Sequence, residues 1–510
     1  MMSRRRILTT LVIILVVAGG IYGLSKSGAL NLSVLFNDET EPGPTVKQPP
    51  LKVRRPTAVA NKSYTELLQE GSQLVQRGLL KEALIRYQSA SEQAPREALP
   101  YEKIGDILFA QKDYQSAEES YLLAQQLSPG ASHLILKRLR SRLGQRKILG
   151  AQQLLTEMPA EAQETLYYSG LLASFLNEQQ TARESLKKST EVGSDEGLRA
   201  KAQKMLTLYE EFDVAQEAPL YFLQALLANT YNTIGEQGLA IEIAFNALKA
   251  EHNYRDVWIV LGHAYLTEYS WLDAQDAFTK AIELDASRAE SFFFRGVAEK
   301  NLGKQRSAIE DFEQAVTLGW RPKILAQNEM AESYFALGDI EKAYALYREV
   351  VTTDPGDVNR FVRPIALAIN QLNKPAEARA MAQLAYDTHP DTARAHSLLG
   401  WALLANNELA ASRQELEQAL SLDPNLSDAW LNMGQLEERI GTNDRARAAY
   451  KKAVSYGEAN FEFTISEEAK SKLKELGDRP NGELSEAGIA PTLPQTPTQS
   501  TRPAPSFSLE

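Results

Sequence analysis

Along the chain, apolar and small residues recur with a helical period in short runs, separated by polar breaks. Trp258, Leu261, Gly262 and Tyr265 fall three and four apart, the spacing that sets side chains on one face of a helix. A second stripe follows in Ala274, Phe278 and Ala281, so the pattern predicts two short helices joined by a turn. That turn often carries glycine (Gly78, Gly235, Gly303, Gly338, Gly441), which can adopt the left-handed conformation that ends a helix. Proline closes several of these units (Pro95, Pro129, Pro355, Pro390, Pro424), where the second helix must stop.

The spacing repeats. Gly71/Ala83/Tyr87/Ala90, Gly105/Ala117/Tyr121/Ala124, Gly262/Ala274/Phe278/Ala281, Gly296/Ala308/Phe312/Ala315, Ala331/Ala343/Tyr347/Val350 and Gly434/Ala446/Tyr450/Ala453 all keep offsets of twelve, sixteen and nineteen. Looser copies begin at Gly170, Ala228, Ala366 and Gly400, and most steps between copies are 34 or 35 residues. A catalytic constellation occurs once in a chain, whereas a packing rule recurs wherever the same unit is built. Where two helices cross closely, a side chain larger than Gly or Ala would force the backbones apart, and the aromatic of the second helix fills the space beside it.

On these residues the sequence resembles the tetratricopeptide-repeat family over about 64 to 460. The resemblance implies an all-α fold, a right-handed superhelical solenoid of helix-turn-helix repeats. The first segment runs over 63–196, with a degenerate repeat at 132–162 that keeps helical patterning without the signature. A spacer helix is expected at 197–220, breaking the solenoid into two segments, followed by repeats over 221–460 and a polar capping helix at 461–477.

The termini read differently. Arg4, Arg5 and Arg6 precede Ile7 to Leu24, eighteen residues without a charge, just enough to span a hydrocarbon layer. One transmembrane helix at 7–24 is therefore expected, with residues 1–6 cytoplasmic and the repeats extracytoplasmic, periplasmic or equivalent. The alternative is a cleaved secretory signal with Ser27-Gly28-Ala29 as the cleavage site, giving a soluble adaptor. A proline-rich linker occupies 25–62, and 478–510 is a Pro/Thr/Ser-rich tail expected to be disordered.

Composition narrows the function. A net charge of −11 spread along the chain argues against a nucleic-acid binder. The absence of cysteine excludes disulfides, thiolate metal sites and a cysteine nucleophile. His133, His252, His263, His389 and His396 are scattered, and "GVAEKNLGKQ" from Gly296 has Gln305 where a phosphate loop needs Ser or Thr. No enzyme chemistry, cofactor, metal or small-molecule substrate is expected.

Binding to other proteins remains, through peptide segments or helices. In the family, the first helix of each repeat lines a concave groove, and the resemblance places His263, Phe293, Asn328, Arg360, Arg363, Asn370, Arg394 and Trp401 there. The arginines could grip an acidic peptide and the asparagines a peptide backbone. They do not reproduce the Lys/Asn/Lys/Arg clamp of chaperone-tail binders, and Pro364 implies a helix that starts late, leaving Arg360 outside it. A second candidate is the basic run Lys137, Arg138, Arg140, Arg142, Arg146 and Lys147, a docking surface for anionic headgroups, cell-wall polymer or an acidic protein. The sequence thus reads as a membrane-anchored scaffold that recruits envelope proteins. The rival readings are the soluble adaptor and a non-catalytic regulatory subunit of an envelope enzyme or export complex. A cytoplasmic-facing chaperone adaptor contradicts the arginine placement.

Overall fold

The structure, a computed structural model, describes residues 62–215, 218–460 and 462–477. The expected anchor at 7–24, the linker before residue 62 and the tail at 478–510 lie outside the described residues. Among the described residues no helix is long and apolar enough to cross a membrane.

The described helices fall into two compact units divided between Ser287 and Arg288. In the first unit, α1 (Tyr64–Gln76) pairs with α2 (Leu80–Gln93), α3 (Ala98–Ala110) with α4 (Tyr114–Leu127), and α5 (Ser132–Gly144) with α6 (Ile148–Leu155). Next, α7 (Gln163–Phe175) pairs with α8 (Gln179–Glu191), α9 (Glu196–Val214) is a single helix packed between pairs, and α10 (Leu220–Ile234) with α11 (Gln237–Ala250) and α12 (Arg255–Thr267) with α13 (Trp271–Leu284) complete the unit. The second unit holds α14 (Ala289–Asn301) with α15 (Gln305–Thr317) and α16 (Lys323–Ala336) with α17 (Ile340–Thr353). A 3-10 turn (Val358–Phe361) leads into α18 (Val362–Asn370), which pairs with α19 (Pro375–Thr388). Then come α20 (Ala393–Ala405) with α21 (Leu409–Leu422), α22 (Ser427–Ile440) with α23 (Asn443–Ala459), and finally α24 (Phe463–Leu476).

The recurrent small residues mark contact points between paired helices. A Cβ on Gly262 would lie 2.7 Å from the Phe278 ring, and one on Gly434 would lie 2.4 Å from the Tyr450 ring. Real Cβ atoms do not approach that closely, so the glycine sets the spacing of each pair. Ala274, Phe278 and Ala281 are fully buried, which answers the periodicity directly: it is a way of packing.

The turn between paired helices has one left-handed residue, seven positions after the small residue, in every repeat. Beyond the five glycines it falls on Lys112, Arg146, Asn177, Tyr269, Asn373 and Asn407. This register also exposes the repeat hidden at 132–162. Leu139 occupies the small-residue position, Arg146 the left-handed one and Ala151 the position twelve on, so a bulky residue in the first slot concealed an otherwise ordinary pair.

One expectation changes. The segment at 197–220 does not separate the units: α9 packs against α8 and α10 inside the first one, and the division falls at residue 287. Its start is set by Asp195, whose carboxylate accepts from the Leu198 backbone N–H. At the other end of the chain, α24 lays Ala469 and Leu476 onto Ala446, Tyr450 and Ala453, covering apolar surface that α23 would otherwise expose.

Candidate protein-binding groove

The residues assigned to the groove sit on first helices or their approaches, but their side chains divide into occupied and unoccupied groups. His263 on α12 packs edge-on against Phe278, with ring centroids 5.4 Å apart. Phe293 is not a groove residue: it is 3% exposed, stacked on Trp320 at 4.3 Å and in contact with Phe312. Its place on a first helix therefore makes it core and not part of the open face.

The three arginines do not form a free cluster. Arg360 lies in the 3-10 turn before α18, ion-paired with Asp354 and Asp357 of the same loop. Arg363 reaches back to Glu332 on α16 at 3.7 Å and lies over the Phe335 ring at 4.8 Å. Arg394 on α20 pairs with Asp428 on α22. Two of these pairs therefore link successive first helices. An incoming carboxylate would have to displace a resident one, which lowers the gain from binding.

What stays available in the second unit is neutral. Asn328 on α16 and Asn370 at the end of α18 are half-buried and make no side-chain hydrogen bond among the described residues. Trp401 on α20 is half-buried against the core of its own repeats.

The basic run is largely consumed by its own neighbours. Lys137 bridges Glu102 and Asp106, both at 2.6 Å. Arg138 is 8% exposed and donates to the Gln125 side chain, so it is not a surface residue. Arg142 pairs with Glu118 and donates to the Gly150 carbonyl, while Arg146 faces Glu242 at 3.5 Å. Arg140 is exposed and lies over the Phe109 ring at 5.2 Å, and Lys147 is exposed. Cations close in sequence thus point to carboxylates of three different helices.

Buried acids accompany this network. Asp273 on α13 is 4% exposed with Oδ1 lacking a partner, and burial, with Asp276 adding to it and Arg146 opposing, pushes its carboxyl up to about 6. Since its unfolded value is about 3.9, the folded state binds more protons between those values, and this group's contribution falls as pH rises through that window. Asp273→Asn should therefore flatten the pH dependence of thermal stability between about pH 4 and pH 6 relative to the parent. The difference of differences in Tm at the two pH values checks it.

His396, 7% exposed, places Nδ1 2.6 Å from Glu415 and Nε2 3.0 Å from the Pro390 carbonyl, contacts that account for it within the repeat. Among the described residues no group of three His, Cys, Asp or Glu side chains is placed to hold a metal ion.

Tetratricopeptide-repeat family models match residues 68–132, 371–427 and 411–462, residues 329–357, and residues 289–318. Mitochondrial import receptor subunit TOM70 of Rattus norvegicus is 24% identical over 211 residues, which is 38% of this chain and 32% of that protein. Anaphase-promoting complex subunit 7 of Homo sapiens is 23% identical over 226 residues, 38% of this chain and 40% of that protein. The chain thus spans less than half the length of these two relatives. The crystal structure of yeast Tom70 aligns with 81% of this chain and 97% of its own at 16% identity and a TM-score of 0.29, too low to bear on the groove.

Proposed function

Given that the chain carries tetratricopeptide repeats, we propose that it is a non-catalytic scaffold, anchored through residues 7–24, whose first-helix surfaces bind segments of other proteins and organise an extracytoplasmic complex. One observation carries the binding reading. The repeat's small and aromatic residues are enclosed between helices, while Asn328 and Asn370 offer unpaired amides on the first helices of adjacent repeats. An amide presents both a donor and an acceptor, which is what an extended peptide backbone needs. The two relatives above are named as subunits of an import receptor and of a multi-subunit complex, in keeping with a role among other proteins. The anchor and the side of the membrane rest on the uncharged run from Ile7 to Leu24 and the arginines before it.

Fractionation tests both parts together. The full chain should resist alkaline extraction from membranes and carry other proteins through detergent purification, and deleting the second unit, 288–477, should lose those proteins while leaving the chain in the membrane. A soluble product beginning near Ala29 would replace the anchor with a cleaved signal. Partners retained without the second unit would rule out binding through Asn328 and Asn370.

A further inference from the structure

In a stack of helix pairs each repeat touches its neighbours. The first unit departs from this rule: α5 packs against α11, across a sequence separation of about three repeats. The approach is close enough that a Cβ on Gly238 would lie 1.9 Å from the Leu143 carbonyl. Polar links bridge the same gap. Lys112 Nζ lies 3.2 Å from Glu268 Oε1, and Tyr114 donates to the same oxygen at 2.8 Å. Arg146 faces Glu242, and beside this seam Tyr168 on α7 donates to Glu236 at 3.2 Å.

The backbone supplies a second, independent observation. At the left-handed turn position the other repeats carry glycine or asparagine, the residues that accept it at least strain. Lys112, Arg146 and Tyr269 are the exceptions, at φ of 65°, 61° and 61°. Lys112 and Arg146 hold the carboxylates that close the gap, and the Lys112 ammonium lies 5.8 Å from the Tyr269 ring. A strained backbone at the points where its side chains meet across the fold points to a role for those side chains.

We propose that these three turns form a polar latch that closes the first unit on itself and can open. Its chemistry favours reversibility. The partly buried ions that join the turns are paired at a desolvation cost that nearly offsets their attraction, so returning them to water costs little. Burial also raises the Glu236 carboxyl above its usual range, against the opposing field of Arg140, so the closed state contains an acid group it does not solvate well. Opening would uncover the inner surfaces of α5 and α11 that now face each other.

The chain has no cysteine, so a pair introduced at exposed sites on α6 and α11, Leu149→Cys and Lys249→Cys, can be spin-labelled in the full chain without background. The parent should show one narrow distance. Lys112→Gly/Arg146→Gly/Tyr269→Gly removes the latch side chains while relieving the backbone, and should add a longer distance in roughly a tenth of molecules or more. Salt at about 1 M, where the screening length is ~3 Å, should act in the same direction. Should the triple variant fail to fold, Glu242→Gln/Glu268→Gln leaves the backbone untouched and is read the same way. A distance unchanged by the side-chain variants and by salt would overturn the latch and leave rigid packing.

Discussion

Gly262→Ala is expected to destabilise the α12/α13 pair by about 2 kcal/mol, because overpacking a filled helix crossing forces its neighbours apart. The new Cβ would sit 2.7 Å from the Phe278 ring, which is fully buried and has no free direction in which to move. Phe278→Ala alone should cost about 3–5 kcal/mol through the cavity it leaves. The two effects should not add. With the ring gone the alanine has room, so Gly262→Ala/Phe278→Ala should lose no more than Phe278→Ala alone, a strong positive coupling in a double-mutant cycle. The chain already contains that combination in Ala228/Ala244, where both side chains are fully buried. Hydrogen exchange along residues 255–284 resolves the effect, since each repeat can open locally and a single melting temperature would average over the unit.

The second large effect is expected at Glu329. Its carboxylate, 7% exposed, pairs with Lys300, linking α16 to α14 within the second unit. Burial works against the ammonium, yet Glu329 holds the Lys300 pKa above its ordinary value. Glu329→Gln would leave that charge poorly compensated, and should lower stability by about 3 kcal/mol. The sign of the pH dependence follows. A lysine whose folded pKa is raised contributes in full below its unfolded value near 10.4, and the contribution is lost as pH rises through the folded one. The loss in Glu329→Gln should therefore be constant from about pH 6 to pH 9 and shrink only in more alkaline solution. Denaturant unfolding across that range measures it. A loss confined to low pH would mean that the pair is not what supports the helix crossing.

The repeat was legible because its signals are local: a glycine and an aromatic sixteen residues apart lie across one crossing, and both are visible in a short window. The degenerate repeat was less so, since Leu139 fills the slot where most copies have Gly or Ala, although Ala151 keeps its place. Charge was harder to read. Arg394 appears free in the sequence because its carboxylate, Asp428, stands 34 residues away in the next repeat. The basic run looked like a surface for the same reason, with its acids on α3, α4 and α11. Phe293 looks available in the sequence because Trp320, which stacks on it, lies outside the repeat signature. The closure of the first unit left one sign in the sequence, bulky residues where other copies have glycine or asparagine, and it is interpretable only once the turn is known to be left-handed.

The most direct test of protein binding through the first helices is site-specific photocrosslinking in intact cells. A photoreactive residue replaces Asn328, Asn370 or Trp401 in turn, with exposed Glu417 on α21 as the control. The same partner protein should be captured from the three first-helix positions and not from the control. Capture from Glu417 alone, or none from the first helices, would contradict binding through this surface.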